Sequence, residues 1–398
     1  MRAAQIVYEF PSLSETFVLA QMRGILDRGW DVRIFADSKG ANTDHGAAAD
    51  LSDRVRYFGL PLKSAREMFG LFKMRSAASA RAIAFAPARP QTSGMRLRLE
   101  ARAFTGQRKF DVVHAHFGPN GVKAVRLRAK GVISGPVITS FYGYDTTRQW
   151  AMGGYGELLS SGDLFIALSE TMRRQLIQLG APEDRVVVHR LGVDLSRFRR
   201  SEHSSHRLEI ISVARLVEKK GIEHGIAAVA ALAKRKIPFR YTIAGDGDRI
   251  ADLRALASQN GVAGHVEFIG AVSHDRVAEL LSRSNVLLAP SVTARDGDTE
   301  GTPVAILEAL ASGIPVVSTN HSAIPEIVQD EVSGFLVPER DAAALSDRLV
   351  TLASDSALRT RMGQAGRAFV EANHDLDILN DELGQLYLQV TSQSDIVE

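Results

Sequence analysis

The chain has 398 residues, 45% hydrophobic and 24% charged, with a formal net charge of +2 and no cysteine. That length calls for two or three domains of ordinary globular composition, and the near-neutral balance excludes a polyanion binder that acts through overall charge. The absence of cysteine excludes disulfides and thiolate metal sites, and no apolar run approaches the ~18 residues of a membrane span.

In chain order, Met1-Arg-Ala-Ala-Gln-Ile-Val-Tyr8 enters a strand directly, with no signal-peptide core, so the expectation is a cytoplasmic protein. Strands are predicted at Ala3–Glu9, Asp31–Ala36, Val55–Phe58, Asp111–His116, Pro136–Phe141, Leu164–Leu168 and Val186–His189, with helices between them. Ser12-Leu-Ser-Glu15 fits a capping box for a helix running toward Arg28. Between Lys63 and Lys109 eleven basic residues face only Glu67 and Glu100, interleaved with Met68, Phe69, Phe72, Phe85 and other apolar side chains. That mixture suits either an anionic membrane face or a solvated helix face. Nucleic acid is not expected, because there is no recognisable motif or basic–aromatic platform.

The polar stretch Leu191–His206 reads as a linker, and a second alternation follows it. Its strands are Leu208–Val213, Arg240–Ala244, Val266–Ile269, Val286–Ala289, Pro315–Thr319 and Gly334–Val337. Helices are predicted at Gly221–Arg235, Arg249–Gln259, His274–Ser282, Val304–Ala311 and Ala342–Ser354, then from Leu358 onward with a break near Asn373. The fold class is therefore α/β, two Rossmann-like doubly wound domains facing a cleft. The expected boundaries are 1–192, a linker 193–207, 208–373, and a terminal helix 374–398 that crosses back to the first domain.

Glu300 and Glu308 carry the most information. They flank Gly301, Thr302, Pro303 and Val304, where a loop after a parallel strand enters a helix, a natural anion site. Eight residues are about two helical turns, so one carboxylate could meet a sugar and the other a ribose, with phosphates between. Arg215 and Lys220 follow the first strand of this half, two cations suited to a diphosphate that leaves as an anion. Cations at a helix start oppose the dipole, which favours a functional over an incidental role. Ala244-Gly245-Asp-Gly-Asp248, Val266-Glu-Phe-Ile-Gly270 and Asn320-His-Ser-Ala-Ile-Pro-Glu326 close later strands and are weak signals singly.

In order and spacing this set resembles glycosyltransferase family 4, whose members have the GT-B fold and a retaining mechanism. Glu300/Glu308 match its E-x7-E pattern, Gly192-Val-Asp-Leu-Ser-Arg-Phe198 its inter-domain segment, and the likeness covers nearly the whole chain. Phe10-Pro-Ser-Leu-Ser-Glu-Thr-Phe17, His114-Ala-His-Phe-Gly118 and Asp296-Gly-Asp-Thr-Glu-Gly-Thr-Pro303 are similar to the capsular and exopolysaccharide branch. The resemblance implies a UDP- or GDP-linked sugar donor, no metal or other cofactor, and a saccharide acceptor, lipid-linked at the cytoplasmic membrane face. It gives Arg215 and Lys220 the donor diphosphate, Glu308 the ribose hydroxyls, and Glu300 with the backbone of Gly301–Val304 the sugar and phosphates. Gly245 and Phe268 would lie by the nucleotide, the Phe268 strand end touching the base. Ser14 and Thr16 would approach the phosphates, and His116 with the loop Phe141–Asp145, including Tyr142 and Asp145, would face sugar and acceptor.

One departure is Tyr142, where many relatives have a sugar-binding His; a phenol can donate a hydrogen bond but is a poor neutral-pH base. Other readings stay open. Asp246-Gly-Asp248 and Asp296-Gly-Asp298 look like D-x-D metal motifs of another transferase fold, although Arg215 and Lys220 already supply cations. A nucleotide-sugar epimerase, a transferase of a soluble secondary-metabolite aglycone, and a non-catalytic binding subunit complete the alternatives.

Overall fold

Apolar strand runs alternating with helices build two parallel sheets in a computed structural model that describes residues 1–12, 15–40, 50–58, 100–107, 109–147, 154–199 and 207–394. The basic segment Lys63–Lys109, apart from the residues around 100–107 and Lys109, and the expected phosphate-loop residue Ser14 lie outside the described residues.

The first half runs β1 (Arg2–Phe10), α1 (Thr16–Asp27), β2 (Asp31–Lys39), β3 (Val55–Tyr57), β4 (Val112–His116), α2 (Gly118–Ala129), β5 (Val137–Ser140), α3 (Gly156–Ser161), β6 (Leu164–Ala167), α4 (Glu170–Gln178) and β7 (Val186–Val188). Its strands lie in the order β3-β2-β1-β4-β5-β6-β7, all parallel. The second half runs β8 (Leu208–Val213), α5 (Ile222–Lys234), β9 (Phe239–Ala244), α6 (Ile250–Gln259), β10 (Val266–Gly270), α7 (His274–Ser282), β11 (Val286–Ala289), α8 (Val304–Ala311), β12 (Val316–Thr319), β13 (Gly334–Val337), α9 (Ala342–Ser354), α10 (Ser356–Asn373) and α11 (Leu376–Ser394). Its order is β10-β9-β8-β11-β12-β13, again parallel. Central strands such as Val112–His116 are buried along their whole length, as strands covered by helices on both faces must be.

Both sheets reverse their winding once, between β1 and β4 and between β8 and β11. Doubly wound sheets bind ligands at that reversal, beyond the strand C-termini. The loops after β8 and β11 carry Lys220 and Glu300, so the topology brings together residues eighty positions apart.

The capping box expected at Ser12–Glu15 is not formed. Helix α1 begins at Thr16 behind Glu15, which makes no side-chain cap bond. Capping by side chains does operate elsewhere, where Asp341, Asp355, Ser169 and Ser273 each accept from the backbone N–H three residues on.

The break between α10 and α11 has a tertiary cause, since neither Gly nor Pro lies there. Val193 N donates to His374 O (2.8 Å) and Leu376 N to Val193 O (3.2 Å), so the returning chain pairs with the segment leaving the first sheet. Gly192 makes this crossing possible, because a Cβ there would stand 2.6 Å from the Cα of Leu376. Beyond the crossing, α11 packs on the first half, with Leu383, Tyr387 and Val390 buried beside Val18, Met22 and Trp30. Among the described residues no helix is long and apolar enough to cross a membrane.

Four buried histidines set an acid limit on this arrangement. His114 bonds Tyr387 and Ser140, each at 2.7 Å, His189 bonds Leu379 O and His374 bonds Leu191 O, each at 2.8 Å. Burial lowers all of them and His116, taking His374 to about 4 and His116 to about 3. Between those values and the ordinary ~6.5 the unfolded chain binds protons that the folded chain refuses, so folding stability falls as pH falls. Asp145 and Glu15 oppose this, because burial raises them to about 6 and about 7 and they hold protons in the folded state over the same interval. Four groups outweigh two. The unfolding midpoint should therefore drop by several degrees from pH 7 to pH 5, and a midpoint that rises over that interval would show the carboxyls prevailing.

Candidate active site

The 3₁₀ turn Glu218–Lys220 after β8 ends at Gly221, whose positive φ of 60° turns the chain into α5. It delivers Lys220 Nζ to Glu300 Oε1 at 2.7 Å. Glu300 lies in the loop after β11, is 6% exposed, and also accepts from Ser291 Oγ at 3.1 Å. Burial alone would raise its carboxyl, but Lys220 and then Lys219 outweigh that and hold it below the ordinary range. Lys219 points the other way, donating to Asp298 Oδ1 (3.0 Å) and Thr299 O (2.9 Å) and bracing the same loop. Asp298, half of one D-x-D sequence, is thus a loop brace. Asp296 and Asp246 each accept from a backbone N–H within their own turn.

Glu308 sits in the second turn of α8, 5% exposed, and its Oε1 meets His274 Nε2 at 2.7 Å. Arg197 Nη1 stands 3.0 Å from His274 Nδ1. A guanidinium can only donate, so Nδ1 is bare and Nε2–H donates to Glu308. Sequence reasoning missed His274; the only signal was its place at a helix start beside β10. Pro303 precedes α8, where it forgoes an N–H that would have no partner. A pocket bounded by Ser212, Ala214, Lys220, Ser291, Pro303 and Ile306 opens there. Gly245 allows the next loop to close in, since a Cβ would stand 1.8 Å from Ala214 O. Arg215 is exposed on the rim, and its charge reaches Glu15 of the first half. Thr16 opens α1 at the reversal point of the first sheet.

Two residues are placed differently from expectation, His116 and Asp145. His116 does not face the cleft: it is 0% exposed, with Nε2 on Gln5 Oε1 (2.9 Å) and Nδ1 on the Tyr142 hydroxyl (2.7 Å). Gln5 Oε1 accepts, so Nε2 carries the proton and Tyr142 donates its own to Nδ1. The Tyr142 proton is thereby committed inward. Asp145 is also 0% exposed and binds the backbone N–H of Tyr142 (2.8 Å) and of Gly118 (3.0 Å), shaping the loop from beneath. Phe268 is half-buried, with the Arg254 guanidinium 5.0 Å over its ring.

The two halves touch at a glycine pair. A Cβ on Gly143 would stand 2.7 Å from Gly301 N, and one on Gly301 would stand 2.3 Å from Tyr142 O. Gly143 also has a φ of +111°, which disfavours any side chain. A second contact crosses nearby, where the Glu326 carboxylate accepts from Glu170 N and Thr171 N, each at 2.8 Å, at the start of α4. Gly143→Val should hold the halves apart and lower turnover by on the order of 100-fold, with nucleotide affinity changed less than about threefold. Equal losses in both, measured by kinetics and calorimetry, would refute this separation of roles.

Comparison with known proteins defines the class and then the family. Solved structures similar over the whole chain include HepE of Anabaena in complex with UDP-glucose (TM-score 0.75, 17% identity, 98% of this chain and 100% of that one) and sucrose-phosphate synthase of Thermosynechococcus elongatus (0.74, 19%, 99% and 100%). The fold is GT-B. Residues 14–192 match the glycosyl transferase 4-like domain and residues 196–369 the glycosyl transferases group 1 domain. WcaL of Escherichia coli K12, assigned as a colanic acid biosynthesis glycosyltransferase, is 37% identical over 97% of this chain and 99% of its own length. The amylovoran biosynthesis glycosyltransferase AmsK of Erwinia amylovora is 32% identical over 97% and 99%. The chain belongs to glycosyltransferase family 4.

Proposed function

We propose that this glycosyltransferase moves a sugar from a UDP- or GDP-linked donor to a lipid-linked saccharide in exopolysaccharide assembly, with retention and without a metal. The observation that carries the reading is the Lys220–Glu300 pair, its carboxylate buried, with the buried Glu308 further along α8 after the reversal point of the second sheet. The names of WcaL and AmsK support the exopolysaccharide setting, and HepE shows a protein of the same fold holding UDP-glucose.

In this reading Glu308 takes the ribose hydroxyls through the carboxylate oxygen not bonded to His274. The diphosphate lies at the N-terminus of α8 and draws Lys220 and Arg215, whose charge counts most as the leaving group becomes an anion. Glu300 and the Gly301 backbone hold the sugar, and the Tyr142–Gly143 loop closes over it and excludes water. Front-face attack by the acceptor needs no base at Tyr142, which agrees with its proton being committed to His116. The basic Lys63–Lys109 segment, largely outside the described residues, would approach an anionic membrane carrying the acceptor.

The test is transfer from UDP- and GDP-sugars to lipid-linked saccharides in EDTA, with the product anomer read by NMR. Retention of the donor's anomeric configuration is expected. Inversion, or a strict metal requirement, would overturn the mechanism. For the membrane, replacing Arg81, Arg96 and Arg98 with Gln should reduce binding to anionic vesicles, and unchanged binding would remove that proposal.

A further inference from the structure

The turn after β12, Asn320–Glu326, has so far supplied only the Glu326 contact. Its backbone is strained, because Ser322 holds a φ of +48° without being glycine. Strain of this kind persists only where the surroundings over-determine it, and it gathers at functional sites. Here the surroundings are the backbone N–H and C=O of Glu300. His321 Nε2 accepts from Glu300 N at 3.1 Å, and Ser322 Oγ donates to Glu300 O at 2.7 Å. The left-handed turn lets adjacent residues reach the two peptide groups that flank the Glu300 Cα.

Behind His321 lies a second carboxylate. Glu339 Oε1 meets His321 Nδ1 at 2.6 Å and takes Thr293 Oγ1 at 3.1 Å. Its Oε2 takes Thr293 N at 2.9 Å and Arg340 Nη1 at 3.1 Å. Burial would raise the Glu339 carboxyl, yet the bonds from Thr293 and His321 hold it below the ordinary range, so it is an acceptor only. Nδ1 of His321 must then carry the proton. Glu300 N–H points at Nε2, which must be bare, so the ring is neutral and in the Nδ1–H form. His321 is 2% exposed and both its nitrogens are used, which leaves it no part in touching a ligand.

We infer that Glu339, His321 and Ser322 are positioning residues for sugar transfer: a carboxylate–imidazole pair and a hydroxyl that clamp the Glu300 backbone on both sides of its Cα and fix the direction of its side chain and of Gly301. The inference rests on the reading of Glu300 as the group that holds the donor sugar. Thr293 bonds to Glu339 at the start of the loop and Glu300 to His321 near its end, so the dyad spans the loop and holds both parts to one frame. A residue held at both its N–H and its C=O keeps the Glu300 carboxylate on Lys220 when the donor is absent. It therefore costs little reorganisation when the donor arrives.

The experiment has two arms. In the first, ¹⁵N NMR of the histidine rings, with His321 assigned by its loss in His321→Gln, should show a neutral Nδ1–H ring; a neutral Nε2–H ring overturns the proposal. In the second, calorimetry compares UMP and GMP with UDP- and GDP-sugars. His321→Phe, which keeps the shape but offers no acceptor, should weaken nucleotide-sugar binding at least tenfold while the monophosphate, held through Glu308, changes less than twofold. His321→Gln, whose side-chain oxygen can accept from Glu300 N, should recover most of that loss. Equal weakening of both ligands in His321→Phe, or no weakening, would reduce the dyad to a brace for the domain. If the unaltered protein binds none of these nucleotides, the donor reading fails, and the ligand-free tautomer still decides the geometry.

Discussion

Lys220→Ala should lower turnover by on the order of 100- to 1,000-fold, the scale seen when a preorganised group facing developing charge is removed. Two effects are joined in that residue. Lys220 would meet the departing diphosphate, and it also neutralises Glu300, which is 6% exposed. Removing one partner of a buried pair leaves an uncompensated charge, at a cost of roughly 3–5 kcal/mol in stability. Lys219, whose charge also holds the Glu300 carboxyl low, is committed to Asp298 and Thr299 and cannot take Lys220's place on Oε1. Adding Glu300→Gln to the alanine variant should restore most of the stability, since the orphaned charge is gone, and should leave turnover low. Thermal unfolding and steady-state rates separate the two effects. A double variant no more stable than Lys220→Ala would mean the pair is not electrostatically coupled as its 2.7 Å spacing implies.

Glu308→Ala should weaken nucleotide binding by about 2–3 kcal/mol, roughly 30- to 150-fold, by removing buried charge-assisted bonds to the ribose. The loss should be the same for UDP or GDP as for the corresponding nucleotide sugar, because the contact is with the nucleoside part. That separates it from Lys220, whose loss should fall on turnover. The variant also strands His274, whose Nε2–H would lose its acceptor at 2.7 Å while Arg197 still holds Nδ1. Glu308→Gln keeps an oxygen for one partner and should fall between the two. If nucleotide affinity survives Glu308→Ala, the carboxylate is a partner of His274 and nothing more.

Much of this was legible in the sequence because it depends on local pattern. The helices at His274–Ser282, Val304–Ala311 and Ala342–Ser354 have the bounds their periodicity gave. Lys220 and Glu300 were each legible as residues at strand ends, and the winding reversal explains why their loops converge, but the ion pair between them is seen only in the structure. What could not be read was the direction of side chains on strands buried on both faces. His116 lies on such a strand, and no period-two alternation distinguishes its cleft side from its core side. The resemblance implied that Asp145 faces sugar and acceptor; it is spent instead on two backbone N–H groups. The capping box failed because a four-residue match is weak evidence against the tertiary demands of a chain entering between two domains. The role of His274, and that of His321 within its weak turn motif, could not be read for a related reason. Each acquires its role from a partner more than fifteen residues away, Glu308 for one and Glu300 and Glu339 for the other.

The central claim is that the second domain holds a nucleoside diphosphate through Glu308 and the Lys220–Glu300 pair. Calorimetric titration of UDP, GDP and their common sugar conjugates into the purified protein in EDTA, with Glu308→Ala alongside, tests it most directly. The account predicts that one nucleotide series binds without a metal and that the variant loses that affinity by roughly 30-fold or more. Binding of neither series, or equal binding by the variant, would contradict it.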